Sequence, residues 1–209
     1  MAYFPFFVEL AGRTGLLVGG GRTALEKAGR LLDYGPQLTV VAPEVLPELA
    51  ALPGVRAVRR PFQASDLEAE LAFVVAATDC KDINRQVAAL CRARRIPVNV
   101  VDTPEDGTFL FPSLVRRGRL SVGISTGGAS PSAAIYLKRE IGALLPDRLE
   151  EILDWLNEVR EPVKGRIPDG TRRKAIFRRL FQESLGRKRP LTDGETRRIV
   201  EELEQEETG

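Results

Sequence analysis

Histidine is absent from the sequence. Its absence removes the side chain whose charge ordinarily changes near neutral pH, the commonest metal ligand, and every Ser-His or Cys-His nucleophile arrangement. Acid–base work therefore falls to carboxylates, Lys, Tyr or Cys, and no metal site is expected. Cysteine is almost as scarce. Cys80 and Cys91 are too few for a disulfide framework or a four-ligand zinc site, and both read as packing residues in a reduced, cytoplasmic protein. An excess of one charge is also missing: 31 Lys and Arg stand against 29 Asp and Glu, a net charge of +2 that gives no ground for nucleic-acid binding. Long apolar runs are missing as well. The opening from Met1 to Val8 is apolar but lacks a basic lead and meets Glu9 and Arg13 before it is long enough to span a bilayer, so neither a signal peptide nor a membrane span is expected.

The chain has 209 residues, 43% of them hydrophobic, enough for one well-cored domain and a smaller appendage. Three short runs, Gly15 to Val18, Leu38 to Ala42 and Leu71 to Ala77, are continuously apolar and rich in β-branched residues, as strands buried on both faces should be. Helical spacing separates them, with Ala24, Ala28, Leu31 and Leu32 on one face and Gly35-Pro36 as the stop. Ile83 to Arg95 then reads as a helix and Val98 to Val101 as a strand. Thr108 to Phe111 and Leu120 to Ile124 read as further strands at the sheet edge. The alternation predicts a Rossmann-like, doubly wound parallel α/β sheet.

Ser130-Pro131 offers an N-cap and a proline at the first helical position, opening a helix that ends at Pro146. Beyond it, apolar stripes at Leu149, Ile152, Leu153, Leu156 and Val159, and at Ile176, Phe177, Leu180 and Phe181, predict a helical C-terminal extension. The expected divisions are residues 1–112 for nucleotide binding, 113–145 for a dimerisation and substrate-cleft segment, and 146–209 for a helical domain. Charge is segregated within the last part: Arg160 to Arg189 is basic, whereas Glu201 to Glu207 is acidic and is expected to fray.

Directly after the first strand, Gly19-Gly20-Gly21-Arg22-Thr23-Ala24 matches G-x-G-x-x-G/A and leads into a helix. Gly19 would make the tight turn, Gly21 would let the backbone approach a pyrophosphate, and Ala24 would allow close helix–strand packing, with the helix N-terminus facing the phosphates. The usual ribose-binding carboxylate is displaced. After the second strand stands Val41-Ala42-Pro43-Glu44, and Glu44 receiving ribose hydroxyls would favour NAD, whereas Arg22 could instead accept a 2′-phosphate.

Five segments occur in a particular order: Gly19-Gly20-Gly21, Val40-Val41-Ala42-Pro43, Ala76-Ala77-Thr78-Asp79, Asn99-Val100-Val101-Asp102, and Ser125-Thr126-Gly127-Gly128-Ala129-Ser130-Pro131. In order and spacing they resemble the dehydrogenase domain of siroheme synthase and free-standing precorrin-2 dehydrogenases. The likeness is close to about residue 145 and looser beyond, and it includes the opening Pro5 to Leu10. It implies hydride removal from precorrin-2 onto NAD to give sirohydrochlorin, in some members followed by ferrous iron insertion, and a homodimer in which the helical region crosses to the partner and completes the substrate cleft. Thr23 and Glu26 depart from the family's frequent valine and arginine, and the cysteine often found near Gly107 is missing. None of these departures removes a required chemical group.

The resemblance implies that Asp102 is the catalytic aspartate, taking a proton as the hydride leaves; without the resemblance, its place in the sequence reads as a cap on the turn at Thr103-Pro104. Thr78 and Asp79 are expected beside the cofactor, and Asn99 either bonds the nicotinamide amide or pins the strand end. Precorrin-2 is an octacarboxylate, so Arg116, Arg117 and Arg119 are either its grip or a solvated turn, and Lys138 and Arg139 carry the same ambiguity. Ser125, Thr126, Gly127 and Ser130 precede a helix N-terminus suited to a carboxylate, or simply cap that helix. The resemblance also makes Thr126 the counterpart of a serine phosphorylated in some relatives. Two other functions stay open: a bifunctional dehydrogenase and ferrochelatase, and an NAD-sensing regulatory module without tetrapyrrole turnover.

Overall fold

A computed structural model describes residues 3–205. Met1 and Ala2 of the apolar opening, and Glu206 and Glu207 of the acidic tail, lie outside the described residues. The chain divides into two compact units, one running through Phe111 and the other from Pro112 onward.

The first unit contains β1 (Thr14–Val18), α1 (Arg22–Leu32), β2 (Gln37–Ala42), α2 (Pro47–Ala50), β3 (Val55–Arg59), β4 (Phe73–Ala76), α3 (Lys81–Arg94) and β5 (Val98–Val100). The strands form one parallel sheet in the order β3-β2-β1-β4-β5. Successive residues of a strand point to opposite faces. Leu16 therefore joins Val74, Val87, Cys91 and Val98 in a core on one face, while Leu17 joins Ala24, Ala28, Val40, Leu49 and Val75 on the other. Burial on both faces explains why β1, β2 and β4 read as continuous apolar runs, and each buried Leu, Val or Phe side chain among them contributes about 1.5–3 kcal/mol on leaving water. The Rossmann-like expectation is thereby borne out.

β3 carries Val55-Arg56-Ala57-Val58-Arg59, half-buried to exposed along its length, and escapes a search for apolar runs because it is an edge strand. Thr108 to Phe111 is not a strand. Its backbone instead returns along β5 through Thr108 N to Val98 O at 2.7 Å, and Val98 N donates to Thr108 Oγ1 at 2.8 Å.

In the second unit, β6 (Ser113–Arg117) and β7 (Leu120–Ile124) form a separate antiparallel hairpin, so the expected strand at Leu120 exists but does not extend the parallel sheet. Five helices follow: α4 (Pro131–Leu144), α5 (Leu149–Glu158), α6 (Arg160–Arg166), α7 (Gly170–Arg187) and α8 (Asp193–Gln205). Val163, Ile167, Ile176, Leu180, Leu191, Ile199 and Val200 are buried together, with Trp155 packed against them. The described part of the acidic tail is helical rather than frayed. Glu204 pairs with Arg166 at 2.5 Å and Glu202 with Arg179 at 2.7 Å, so the two charge blocks neutralise each other across helices. Among the described residues, no helix is long and apolar enough to cross a membrane.

Candidate functional site

In an open parallel sheet, the loops that leave the carboxyl ends of the strands lie side by side. Here the loops after β1, β2 and β4 are in direct contact. Gly19 N donates to Val41 O at 3.0 Å, Leu46 N to Gly20 O at 3.0 Å, and Ala77 N to Val18 O at 2.8 Å. Gly19 has φ +126°, and a Cβ there would lie 2.3 Å from Ala77 O; a Cβ on Gly20 would lie 2.0 Å from Glu44 O. These two glycines are dictated by neighbouring backbone.

Gly21 differs. Its φ is −89°, available to any residue, and nothing lies within 4 Å of a Cβ built there. The fold leaves open space beside Gly21 at the first turn of α1, where Arg22 and Thr23 present N–H groups that lack helical acceptors and the turn itself carries no acidic residue. Ala24 is fully buried against the sheet. This cradle fits a dinucleotide pyrophosphate, for which a side chain at Gly21 would be an obstacle. Pro43 and Glu44 are exposed in the loop touching Gly20.

Of the expected cofactor neighbours after β4, Asp79 is exposed, whereas Thr78 is engaged within the protein. Its hydroxyl lies 2.8 Å from Asn84 Oδ1 and 3.0 Å from Cys80 O, its N–H donates to Asn84 Oδ1 at 3.2 Å, and Asn84 Nδ2 donates to Thr78 O at 2.9 Å. Asn84 is buried on α3, and sequence reasoning passed over it because a single asparagine inside a helical stretch carries no motif. Asn99 is also buried, with Nδ2 donating to Phe109 O at 3.0 Å, so it ties the segment returning after the Asp102 loop. Asp102 follows β5, exposed, with φ +68°, a left-handed conformation uncommon for a residue other than glycine. Lys27, also missed, sits 4.1 Å from the centroid of Phe111, and burial, then the charge of Arg30, holds its ammonium pKa below the ordinary lysine value.

In the second unit the three arginines of the hairpin separate. Arg119 Nε donates to Asp154 Oδ1 at 2.9 Å. Arg116 and Arg117 instead join Lys138 and Arg139 of α4 around a cleft of about 800 Å³ with Leu114, Val115, Ile135, Gly142 and Ala143. Such a lining suits a ligand with an apolar body and several anionic arms. The hydroxyls of the Ser125–Ser130 loop are partly used locally: Ser130 Oγ accepts from Ala133 N at 3.1 Å, Thr126 Oγ1 donates to Ser130 O at 3.1 Å, and Ser125 Oγ accepts from Gly127 N at 3.2 Å.

The sheet order, glycine turn and adjoining loops define a dinucleotide-binding α/β protein. The chain belongs to the family described as "Putative NAD(P)-binding", whose model matches residues 6–113. The siroheme synthase of Thioalkalivibrio sulfidiphilus (strain HL-EbGR7) is 41% identical over 185 residues, which are 87% of this chain and 38% of that protein. The siroheme synthase of Pseudomonas entomophila (strain L48) is 38% identical over 207 residues, 97% of this chain and 44% of that one. The chain thus spans about two-fifths of the length of these curated relatives. A solved structure, "SirC, precorrin-2 dehydrogenase", matches with a TM-score of 0.68 and 27% identity over 98% of this chain and all of that one. These matches bear out the resemblance carried by the five motifs and the expected nicotinamide dinucleotide cofactor.

Proposed function

We propose that the protein is a precorrin-2 dehydrogenase that oxidises precorrin-2 to sirohydrochlorin with NAD in siroheme biosynthesis. The observation that carries this reading is the end-to-end likeness to a precorrin-2 dehydrogenase, which covers both units rather than the nucleotide-binding part alone. NAD, when bound, accepts the hydride. The Gly19–Ala24 turn, with Gly21, Arg22 and Thr23 nearest the open space, holds its pyrophosphate, Pro43 and Glu44 lie on the ribose side, and Asp79 borders the cofactor from the β4–α3 loop. Exposed Glu44 supports NAD over NADP, because a carboxylate accepts from ribose hydroxyls and repels a 2′-phosphate. Asp102 takes the proton released as the hydride departs, a role its exposed position after β5 supports. Asn99 acts behind it by tying Phe109.

Substrate carboxylates are assigned to Arg116 and Arg117 together with Lys138 and Arg139, and to the exposed Ser125 and Gly127 of the loop that Thr126 and Ser130 close. Residues 1–112 are thus the nucleotide-binding part, 113–145 the substrate and dimerisation segment, and 146–209 the helical domain. Ile135, Tyr136 and Leu144 of α4 are each more than half exposed, which supports a homodimer formed through this helix and testable by light scattering after size exclusion. Two free cysteines suit a reducing cytoplasm.

The test is an anaerobic assay with enzymatically generated precorrin-2 and NAD, following NADH and the sirohydrochlorin spectrum. Turnover in the wild type, reduced by about 100-fold or more in Asp102→Asn with NAD binding intact, supports the reading. Nucleotide binding without turnover overturns it and leaves the sensor. Siroheme formation accelerated by adding ferrous iron would extend it to chelation.

A further inference from the structure

The loop that borders Gly19 has to stand at a fixed height. A Cβ on Gly19 would be 2.3 Å from Ala77 O and 3.1 Å from Thr78 N, so the β4–α3 backbone already lies against the phosphate turn. Any shift of Ala77 and Thr78 toward or away from β1 moves the wall of the cradle. Asn84 controls that position. It is 4% exposed, and both halves of its amide are used: Oδ1 accepts from Thr78 N and from the Thr78 hydroxyl, while Nδ2 donates to Thr78 O. The bonds grip one residue by its backbone on both sides, which fixes the orientation of that peptide as well as its distance. Thr78 Oγ1 also accepts from Cys80 N at 3.2 Å, so the grip extends to the start of α3.

We infer that Asn84 is a positioning residue for dinucleotide binding, acting through the Thr78 backbone, and that Thr78 serves as its handle rather than as a contact to the cofactor. This inference rests on the assignment of the dinucleotide to the Gly19–Ala24 turn and is independent of which substrate is oxidised. A leucine at position 84 keeps the branched heavy-atom skeleton while removing all three bonds and leaving Thr78 N–H and C=O without their partner. The loop then settles elsewhere and the cradle loses its shape. Truncating only the Thr78 hydroxyl leaves the two backbone bonds in place.

The experiment measures NAD affinity by titration calorimetry on the full chain, and NAD KM and kcat where turnover is available. Asn84→Leu is expected to weaken NAD binding about ten-fold, with kcat at saturating NAD within about two-fold of wild type. Thr78→Val should weaken binding about two- to three-fold, and Thr78→Ser, which keeps the hydroxyl, should restore it. A folded Asn84→Leu protein with wild-type NAD affinity overturns the inference, as does Thr78→Val costing more than Asn84→Leu, which would make Thr78 a direct contact. If Asn84→Leu does not fold, hydrogen exchange of the wild type decides: a Thr78 amide protected without NAD agrees with the clamp, and one that exchanges at the free-peptide rate refutes it. Wild-type protein that binds NAD but leaves precorrin-2 unchanged would remove the dehydrogenase reading and leave this measurement intact.

Discussion

The two units are held together by different means. In the unit through Phe111, apolar side chains fill both faces of a parallel sheet, and its functional loops touch backbone to backbone at Gly19, Gly20, Glu44 and Ala77. In the unit from Pro112, one apolar cluster among α5 to α8 is framed by Arg–Glu pairs, between helices at Arg166 with Glu204 and Arg179 with Glu202, and from the α7–α8 connection to α8 at Arg189 with Glu195. Close backbone packing tolerates no added atom, whereas partly exposed ion pairs tolerate the loss of one. The first unit should therefore fail at single methyl groups, and the second should respond gradually to pH and salt.

The largest expected effect breaks the first unit at its tightest point. Gly19→Ala places a methyl group against Ala77 O on a backbone at φ +126°, and should destabilise that unit by about 3 kcal/mol or more while abolishing NAD binding. Gly21→Ala, two residues away, meets nothing within 4 Å and should leave the unfolding free energy within about 0.5 kcal/mol of wild type while still weakening NAD binding. Thermal unfolding and NAD titration on both variants check the contrast. Equal stability losses would mean that Gly21 is also dictated by the fold, and the argument for a ligand over it would fail.

The same contrast governs what the sequence made legible. β1, β2 and β4 were readable because two-sided burial demands unbroken apolar runs, and the glycine turn because its φ and close approaches admit little else. β3 was not, since an edge strand can carry Arg56 and Arg59 where a central one cannot. Arg116, Arg117 and Arg119 form one basic patch on paper; only the fold shows that Asp154, 35 residues away, takes Arg119 and leaves the others at the cleft. The acidic tail suggested fraying because composition records a block of charge and not its partner, which for Glu204 is Arg166, 38 residues earlier. Asn84 was hidden for a similar reason: its value lies in reaching back to Thr78, a relation no local pattern encodes.

A smaller effect should separate the units by acid. Glu195 receives Arg189 and the Thr192 N–H, in that order of importance, and its carboxyl is held down to about 2 from an ordinary 4.5. A carboxylate with a lowered native pKa binds fewer protons folded than unfolded, so its stabilisation is complete above the unfolded value and is lost as pH falls from about 4.5 toward 2. Trp155, packed on the helical cluster, reports this unit by fluorescence. Its emission at fixed urea should show the second unit weakening across that range, and Glu195→Gln should be less stable near neutrality and flatter in acid. An identical acid slope in the variant would assign the sensitivity to other carboxylates.

The smallest expected effect tests whether the interhelical pairs stabilise the second unit at all. Arg179 and Glu202 are 40% and 43% exposed, so water and salt screen their attraction and ordering two long side chains offsets much of it; pairs of this kind contribute about 0.2–1 kcal/mol. Arg179→Met, on α7, keeps most of the aliphatic stem and removes the charge. Urea unfolding followed at Trp155 should shift by no more than about 1 kcal/mol in low salt and by less in 0.5 M salt, where the Debye length falls to about 4 Å. A loss several times larger, unaffected by salt, would mean that the Arg179 stem packs as part of the core. The second unit would then resemble the first, held by close contact rather than by charge.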